Sequence, residues 1–464
     1  MSETFVNYDG SITASPRQLV RPESVEEIQA VLRDPARYPG PVRAVGSYHS
    51  LTPCASSDGA MISTARLNRI VSIDPAAMTL TAQGGVQFIE ASRALREQGL
   101  QFMTNIEIGN MTLGSAACCH TKDGLDGVEY GQVSSYVTRI KWVTPAGELA
   151  EASESDNPAL LRMMRSSHGL CGVIYEATFR VKPIEAVHFT YHPRPVDELT
   201  QAEVDEYIDS SEGLVAWTVG RTVVFQQRHK IDKPGVLGSL QSALRRRLWN
   251  FGDAHVGHLV DELLRNQTLR DAVRGGVFDV TRFLYSTLHL FGGITLLAPD
   301  KTIDYRGTPA SAKYAFTFWA FPRGRWLEAL RAYLDFADEH HKQTGFRCNM
   351  PCGAYRVHKD THGILSYTHD QETFSIDPIH ASTNDADWHR FLRAFNDFAH
   401  QRGGIPLLNQ SPFVERKHME AAYGDRWFEF SDWVRKSDPA GRMLNEFFAG
   451  LLSERKADPA RVSG

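Results

Sequence analysis

Three glycine-bearing bends carry the residue types that could do chemistry. The first is Ala44-Val45-Gly46-Ser47-Tyr48-His49-Ser50, placed between the apolar run Pro41 to Val45 and the turn-rich Thr52 to Gly59. A strand ending in Gly-Ser and followed by small polar residues exposes several backbone N–H groups together, and such a concavity suits phosphate oxygens. His49 adds an imidazole, which can act as a nucleophile. In the second, Ile108 to His120, the residues Gly109, Gly114, Ser115, Ala116 and Ala117 carry little bulk, so the backbone can approach a flat ligand closely. The third, His168-Gly169-Leu170-Cys171-Gly172-Val173-Ile174, leads two glycines into an alternating strand.

The elements around these bends alternate between α and β. Ser24 and Glu27 make a capping box for a helix carrying Val25, Ile28 and Leu32. A strand over Val42 to Val45 follows, then strands over 59–63, 67–74 and 78–82. An amphipathic helix over Val86 to Gln98 is stopped by Gly99. Val137 to Leu149 reads as a hairpin turning at Pro145-Ala146-Gly147, and Leu160 to Arg165 as a short helix. Pro183 breaks the strand after the third bend. Beyond Ile184 the pattern is more helical, over Glu198 to Ser211 and Gly235 to Gly292. An aromatic strand spans Lys313 to Phe321, and a helix carries Leu327, Leu330, Leu334 and Ala337. A strand over 353–358 pairs with one over 372–376. A helix over Asp387 to Gln401 turns Trp388, Phe391, Phe395 and Phe398 inward.

Composition sets the outer bounds. The 464 residues suit two domains, or one domain with a large insertion, and 42% hydrophobic with 23% charged content is ordinary for a globular protein. A net charge of −5 argues against a nucleic-acid partner. A metal site is not expected. No run of about 18 apolar residues is present, and the first fifteen residues lack an export pattern, so a cytoplasmic protein with six free thiols is expected. Adjacent Cys118 and Cys119 read as small residues in a packed strand. Arg245-Arg246-Arg247 reads either as a solvated face or as a basic contact for a membrane surface.

The bends together resemble the vanillyl-alcohol-oxidase-like flavoproteins with a PCMH-type FAD-binding domain, most closely the sugar-lactone and alditol oxidases. Gly46-Ser47-Tyr48-His49-Ser50 matches their Gly-x-x-His-Ser attachment turn, with Tyr48 where many relatives have glycine. Thr112-Leu113-Gly114-Ser115 matches a Thr-apolar-Gly-Gly turn that leads into a small-residue strand along the cofactor. Gly169 and Gly172 with Val173 match the Gly-x-x-Gly-Val-Ile turn, and Asp438-Pro439-Ala440-Gly441-Arg442-Met443-Leu444-Asn445 matches the family's terminal motif. The resemblance implies an α+β protein: a two-part FAD-binding PCMH-type domain and a cap domain with an antiparallel sheet and flanking helices. The expected boundaries are 15–184 for the FAD domain, 185–408 for the cap, and 409–464 for a segment returning to the FAD domain. The implied cofactor is FAD, bonded to His49 and held by Val45, Gly46, Ser47, Tyr48, Ser50, Thr112, Gly114, Ser115, Gly169, Gly172 and Val173. His120 is either a flavin contact or a hydrogen-bonded core histidine.

The family places a Glu-x-Arg pair on a cap strand and a lysine after a Gly-Gly. Here Arg356 matches the arginine, Ala354 stands for the glutamate, and Gln410, after Gly403-Gly404, stands for the lysine. Less polar anchors suit a substrate less polar than a free polyol. Strand alternation puts Ala354, Arg356 and His358 on one face. If Arg356 faces the flavin, His358 is a candidate base; otherwise it lies at the solvent end of the strand. Phe316, Phe318 and Trp319 line an apolar pocket or are core. The implied activity is oxidation of a CH–OH group by hydride transfer, with oxygen or another acceptor taking the electrons. The alternatives are a dehydrogenase with a non-oxygen acceptor and a flavoprotein whose pocket has decayed into a binding role.

Overall fold

The computed structural model describes residues 4–122, 130–231, 293–305, 314–381 and 386–454. The arginine triplet at 245–247 and the helical pattern of 235–292 lie outside the described residues, as does Lys313.

The chain begins as a βαβ layer. The helix Val25–Arg33 starts at Ser24, whose Oγ accepts from Glu27 N at 3.3 Å, while Glu27 Oε2 accepts from Glu23 N at 2.9 Å. Its Ile28, Val31 and Leu32 pack onto Val42, Ala60 and Ile62. Those residues belong to a parallel three-stranded sheet in which Ala60–Ser63 lies between Gln18–Val20 and Val42–Val45. Parallel strands need a crossover, and this helix supplies it.

An antiparallel sheet follows, in the order Leu149–Ser153, Val137–Val143, Val173–Pro183, Thr79–Gln83, Ile70–Asp74, with Leu100–Phe102 pairing further along Val173–Pro183. Gly99 at φ +69° ends the helix Phe88–Glu97, and Gly147 at φ +80° makes the hairpin turn. One stretch departs from expectation. Residues after Thr112 form a helix, Leu113–Cys118, rather than a strand. Gly114 N donates to Gly84 O at 2.8 Å, and a Cβ on Gly114 would lie 2.9 Å from that oxygen. Glycine thus lets a helical turn seat directly on the backbone of the neighbouring loop.

The second half is built on an eight-stranded antiparallel sheet running from Ile294–Leu297 through Ala186–Pro195, Thr222–Ile231, Gly213–Val219, Cys352–Val357, Thr373–Ile376 and Trp319–Pro322 to Ile405–Pro406. The expected aromatic strand is split into Ala315–Phe316 and Trp319–Pro322, which join different sheets. Helices Trp326–Thr344 and Ala386–Gln401 bury Trp326, Tyr333, Trp388, Phe391 and Phe395 in the main core. Trp319 is core as well, its indole N–H donating to Asn396 Oδ1 at 3.0 Å.

The C-terminal motif folds back onto the first layer. Asp438 accepts from the backbone N of Arg442 at 2.8 Å and of Met443 at 2.6 Å. Asn445 then donates to Pro53 O and Ser56 O, both at 2.9 Å. The far end of the chain therefore clamps the loop that follows the first bend.

Candidate cofactor cleft and substrate site

The three bends meet around one cleft. Its walls include Val45, Gly46, Ser47, Tyr48, His49 and Ser50 from the first bend, Thr112, Gly114 and Ser115 from the second, and Gly169 and Gly172 from the third. Gln410 closes it from the later half of the chain, beside Asn409.

Glycine is required where these walls touch. A Cβ on Gly46 would collide with the Thr112 side chain, whose Oγ1 is held by Ser115 Oγ at 3.0 Å. Gly172 sits at φ +130° with Val143 O against it. Tyr48 adopts φ +52°, a conformation that favours glycine. Tyr48 is held there by burial among Ala14, Val45 and Met61 and by a short hydrogen bond with Ser56 Oγ. Burial pushes its phenol up to about 12.

The His49 imidazole packs on Tyr8, ring centres 4.5 Å apart. The N-terminal residues brace this turn: Tyr8 N donates to Tyr48 O at 2.8 Å and Asn7 Nδ2 to Ser50 O at 3.0 Å. Composition gave no signal for Asn7 and Tyr8. Arg43 escaped notice too. It is 1% exposed and donates to Cys54 O, His168 O, Gly169 O and Met443 O, at 2.5–3.2 Å. One guanidinium thus ties the first bend to the third and to the C-terminal motif. Burial lowers its pKa.

Several polar atoms on the cleft wall are buried without a protein hydrogen-bond partner among the described residues: both ring nitrogens of His168, Thr121 Oγ1 and Asn409 Oδ1. Burial, reinforced by His120 and Arg43, keeps the His168 imidazole neutral. Unpartnered polar atoms on residues that line a glycine-walled cleft fit a ligand that is flat, polar and rich in acceptors and donors. FAD has that character.

Other expected residues fall elsewhere. Val173 is fully buried beneath the cleft, paired with Val143. His120 follows its core reading. Its Nε2 meets Ser166 Oγ at 3.1 Å, it does not line the cleft, and burial lowers its pKa to about 4. Arg356 and His358 do lie together, but not on the cleft. Arg356 Nε donates to Glu372 Oε2 at 2.9 Å, and His358 Nδ1 lies 3.3 Å from the same oxygen. The strand's alternation turns Tyr355 to the opposite face, where its hydroxyl donates to Glu107 Oε2 at 3.4 Å. Of the three residues expected to act on substrate, Gln410 alone lines the cleft. Its Oε1 accepts from Lys122 Nζ at 2.9 Å, a lysine 288 positions away.

The FAD binding domain family matches residues 16–153, and the D-arabinono-1,4-lactone oxidase family matches 177–451. An L-gulono-1,4-lactone dehydrogenase of Mycobacterium tuberculosis is 29% identical over 46% of this chain, and the alignment spans about half of that relative's length, 48%. L-gulonolactone oxidases of Scyliorhinus torazame and Mus musculus are 22% and 23% identical over 96% of this chain, and 98% and 97% of theirs. Among solved structures, the cholesterol oxidase of B. sterolicum superposes with a TM-score of 0.74 at 14% identity, covering 98% of this chain and 97% of that one; this likeness is of fold. The chain carries an FAD binding domain and belongs to the D-arabinono-1,4-lactone oxidase family.

Proposed function

We propose that this protein is an FAD-dependent oxidoreductase that oxidises a CH–OH group of a sugar lactone or a related, less polar alcohol. The observation that carries the proposal is the convergence of the Gly46, Gly114 and Gly172 walls on one cleft, several of whose buried polar atoms have no hydrogen-bond partner among the described residues. When bound, FAD supplies the acceptor for a hydride. The chain's part is to hold and orient. Backbone N–H groups of the Val45 to Ser50 bend would take the diphosphate oxygens, and the small residues at 112–115 and 169–172 would let the ring lie close. His168, Thr121 and Asn409 offer donors and acceptors to its polar edges.

The same proposal has His49 bonded to the flavin, supported by its place on the cleft wall beside Tyr8. Gln410 is the substrate-side contact, and Arg356 and His358 act on the cap through Glu372. A cytoplasmic setting is in keeping with six cysteines that are all free. The relative named a dehydrogenase supports a second reading, in which electrons pass to an acceptor other than oxygen.

The test is turnover of L-gulono-1,4-lactone and D-arabinono-1,4-lactone by the purified protein in air, with product and peroxide both measured. Stoichiometric peroxide supports the oxidase. Product formed only with an added dye acceptor supports the dehydrogenase. No bleaching of the bound flavin by any lactone or alcohol, under anaerobic mixing, defeats both.

A further inference from the structure

Gln410 cannot be understood without Lys122. The ammonium is deeply buried, its side chain 7% exposed, in a box of three rings. It lies 4.0 Å from the ring centre of Phe318, 5.0 Å from Tyr355 and 5.6 Å from Phe316. Asp377 Oδ2 is 3.9 Å away, and the short polar contact of Lys122 Nζ is with Gln410 Oε1 at 2.9 Å. Aromatic faces and the carboxylates of Asp377 and Glu107 compensate part of the cost of burying a cation.

A lysine ammonium has three donors and no acceptor. It therefore dictates which way the Gln410 amide is turned. The oxygen must face Lys122, because the reverse orientation would set N–H against ammonium. The NH2 group is then left on the other side, where Gln410 lines the cleft. The main chain of Gln410 is pinned as well, its N donating to Leu407 O at 2.8 Å and its O accepting from Phe318 N at 3.3 Å. No described residue accepts from Nε2. A cation on the amide oxygen also polarises the amide and strengthens its N–H donors.

We propose that Lys122 is a positioning residue that locks the Gln410 amide with its NH2 group facing the cleft. Gln410 thereby becomes a cation-backed donor to an acceptor atom of the bound flavin or of the substrate oxygen. This rests on the FAD-oxidoreductase reading above. Donors fixed in advance where negative charge gathers are the effective ones, because they need no reorganisation during the reaction. The lysine that resemblance led one to seek at position 410 is thus replaced by a two-residue relay. Its cation comes from the loop after the second bend.

The experiment compares the wild-type holoprotein with Lys122→Met and Gln410→Glu. The second keeps a partner for Lys122, and so the fold, but removes the donors. FAD content is measured first. Sulfite affinity of the oxidised holoprotein then reads positive charge and donors beside the ring without any substrate. Steady-state kinetics use a lactone turned over by the wild type. If the donor faces the flavin, both variants lose on the order of tenfold in sulfite affinity and the flavin absorption shifts. If it faces the substrate, sulfite affinity holds and both variants lose on the order of tenfold in kcat/KM. A Lys122→Met protein that keeps FAD, with sulfite affinity and kcat/KM both within about twofold of wild type, overturns the inference even if its thermal stability falls. A wild-type protein that binds no FAD overturns the functional reading instead.

Discussion

Replacing Arg43 should dismantle the cleft from behind. The guanidinium donates to four carbonyls on three separate segments: Cys54 after the first bend, His168 and Gly169 in the third, and Met443 in the C-terminal motif. Hydrogen bonds to a charged group are each worth about 1.5–3 kcal/mol. A simple sum of four would exceed 6 kcal/mol on that scale, roughly. The sum overstates the loss, because the wild type already bears the cost of burying the charge and the four bonds act as a unit. For Arg43→Met we expect a loss of about 3–5 kcal/mol, most of it from carbonyls left buried without a donor. Arg43→Lys keeps the charge but not the planar fork and can satisfy three carbonyls at most, so its loss should be smaller. The assay is urea unfolding of wild type and both variants, with and without excess FAD. Both variants should unfold at lower urea, and both should gain less from FAD than wild type does. An Arg43→Met protein within about 1 kcal/mol of wild type, with undiminished FAD retention, would show that the guanidinium does not tie these segments together.

Three further outcomes are expected. Gly114→Ala places a Cβ 2.9 Å from Gly84 O, where only backbone could yield, so stability should fall by about 2 kcal/mol or more and FAD should be released; unchanged urea midpoint and flavin content would contradict this. His120, with a pKa of about 4 against an ordinary 6.5, stays neutral in the fold while the unfolded chain takes a proton. Its contribution is whole above pH 6.5 and is lost as pH falls towards 4, about 3 kcal/mol over that window. His120→Gln should flatten the decline in unfolding free energy between those limits, and an unaltered slope would refute it. His49→Ala should yield a protein whose FAD leaves on denaturation, whereas in wild type a flavin mass should travel with the His49 peptide; a wild-type His49 peptide of unmodified mass would refute attachment.

What was legible in the sequence was local. The bend at 45–50, the glycines at 114, 169 and 172, and the Ser24 cap announce themselves because the backbone there tolerates few residue types. The helix Leu113–Cys118 is not legible, because a run of Gly, Ser and Ala shows no clear pattern and close seating on Gly84 decides its conformation. The cap strand was correctly paired, Arg356 opposite Phe374, but alternation cannot say which face meets the cleft. Tyr355 lies against Lys122 and Glu107, and Arg356 and His358 lie against Glu372. Arg43, Asn7 and the Lys122–Gln410 contact were hidden because their partners lie tens to hundreds of residues away. No periodicity reports such pairs.

All of this depends on a flavin dinucleotide occupying the space between the three bends. The absorption spectrum of the freshly purified chain, taken before acid precipitation and again on the redissolved pellet, decides it. A flavin spectrum that stays with the pellet is the result expected from FAD held in the cleft and bonded to His49. A colourless protein that takes up no added FAD would contradict it.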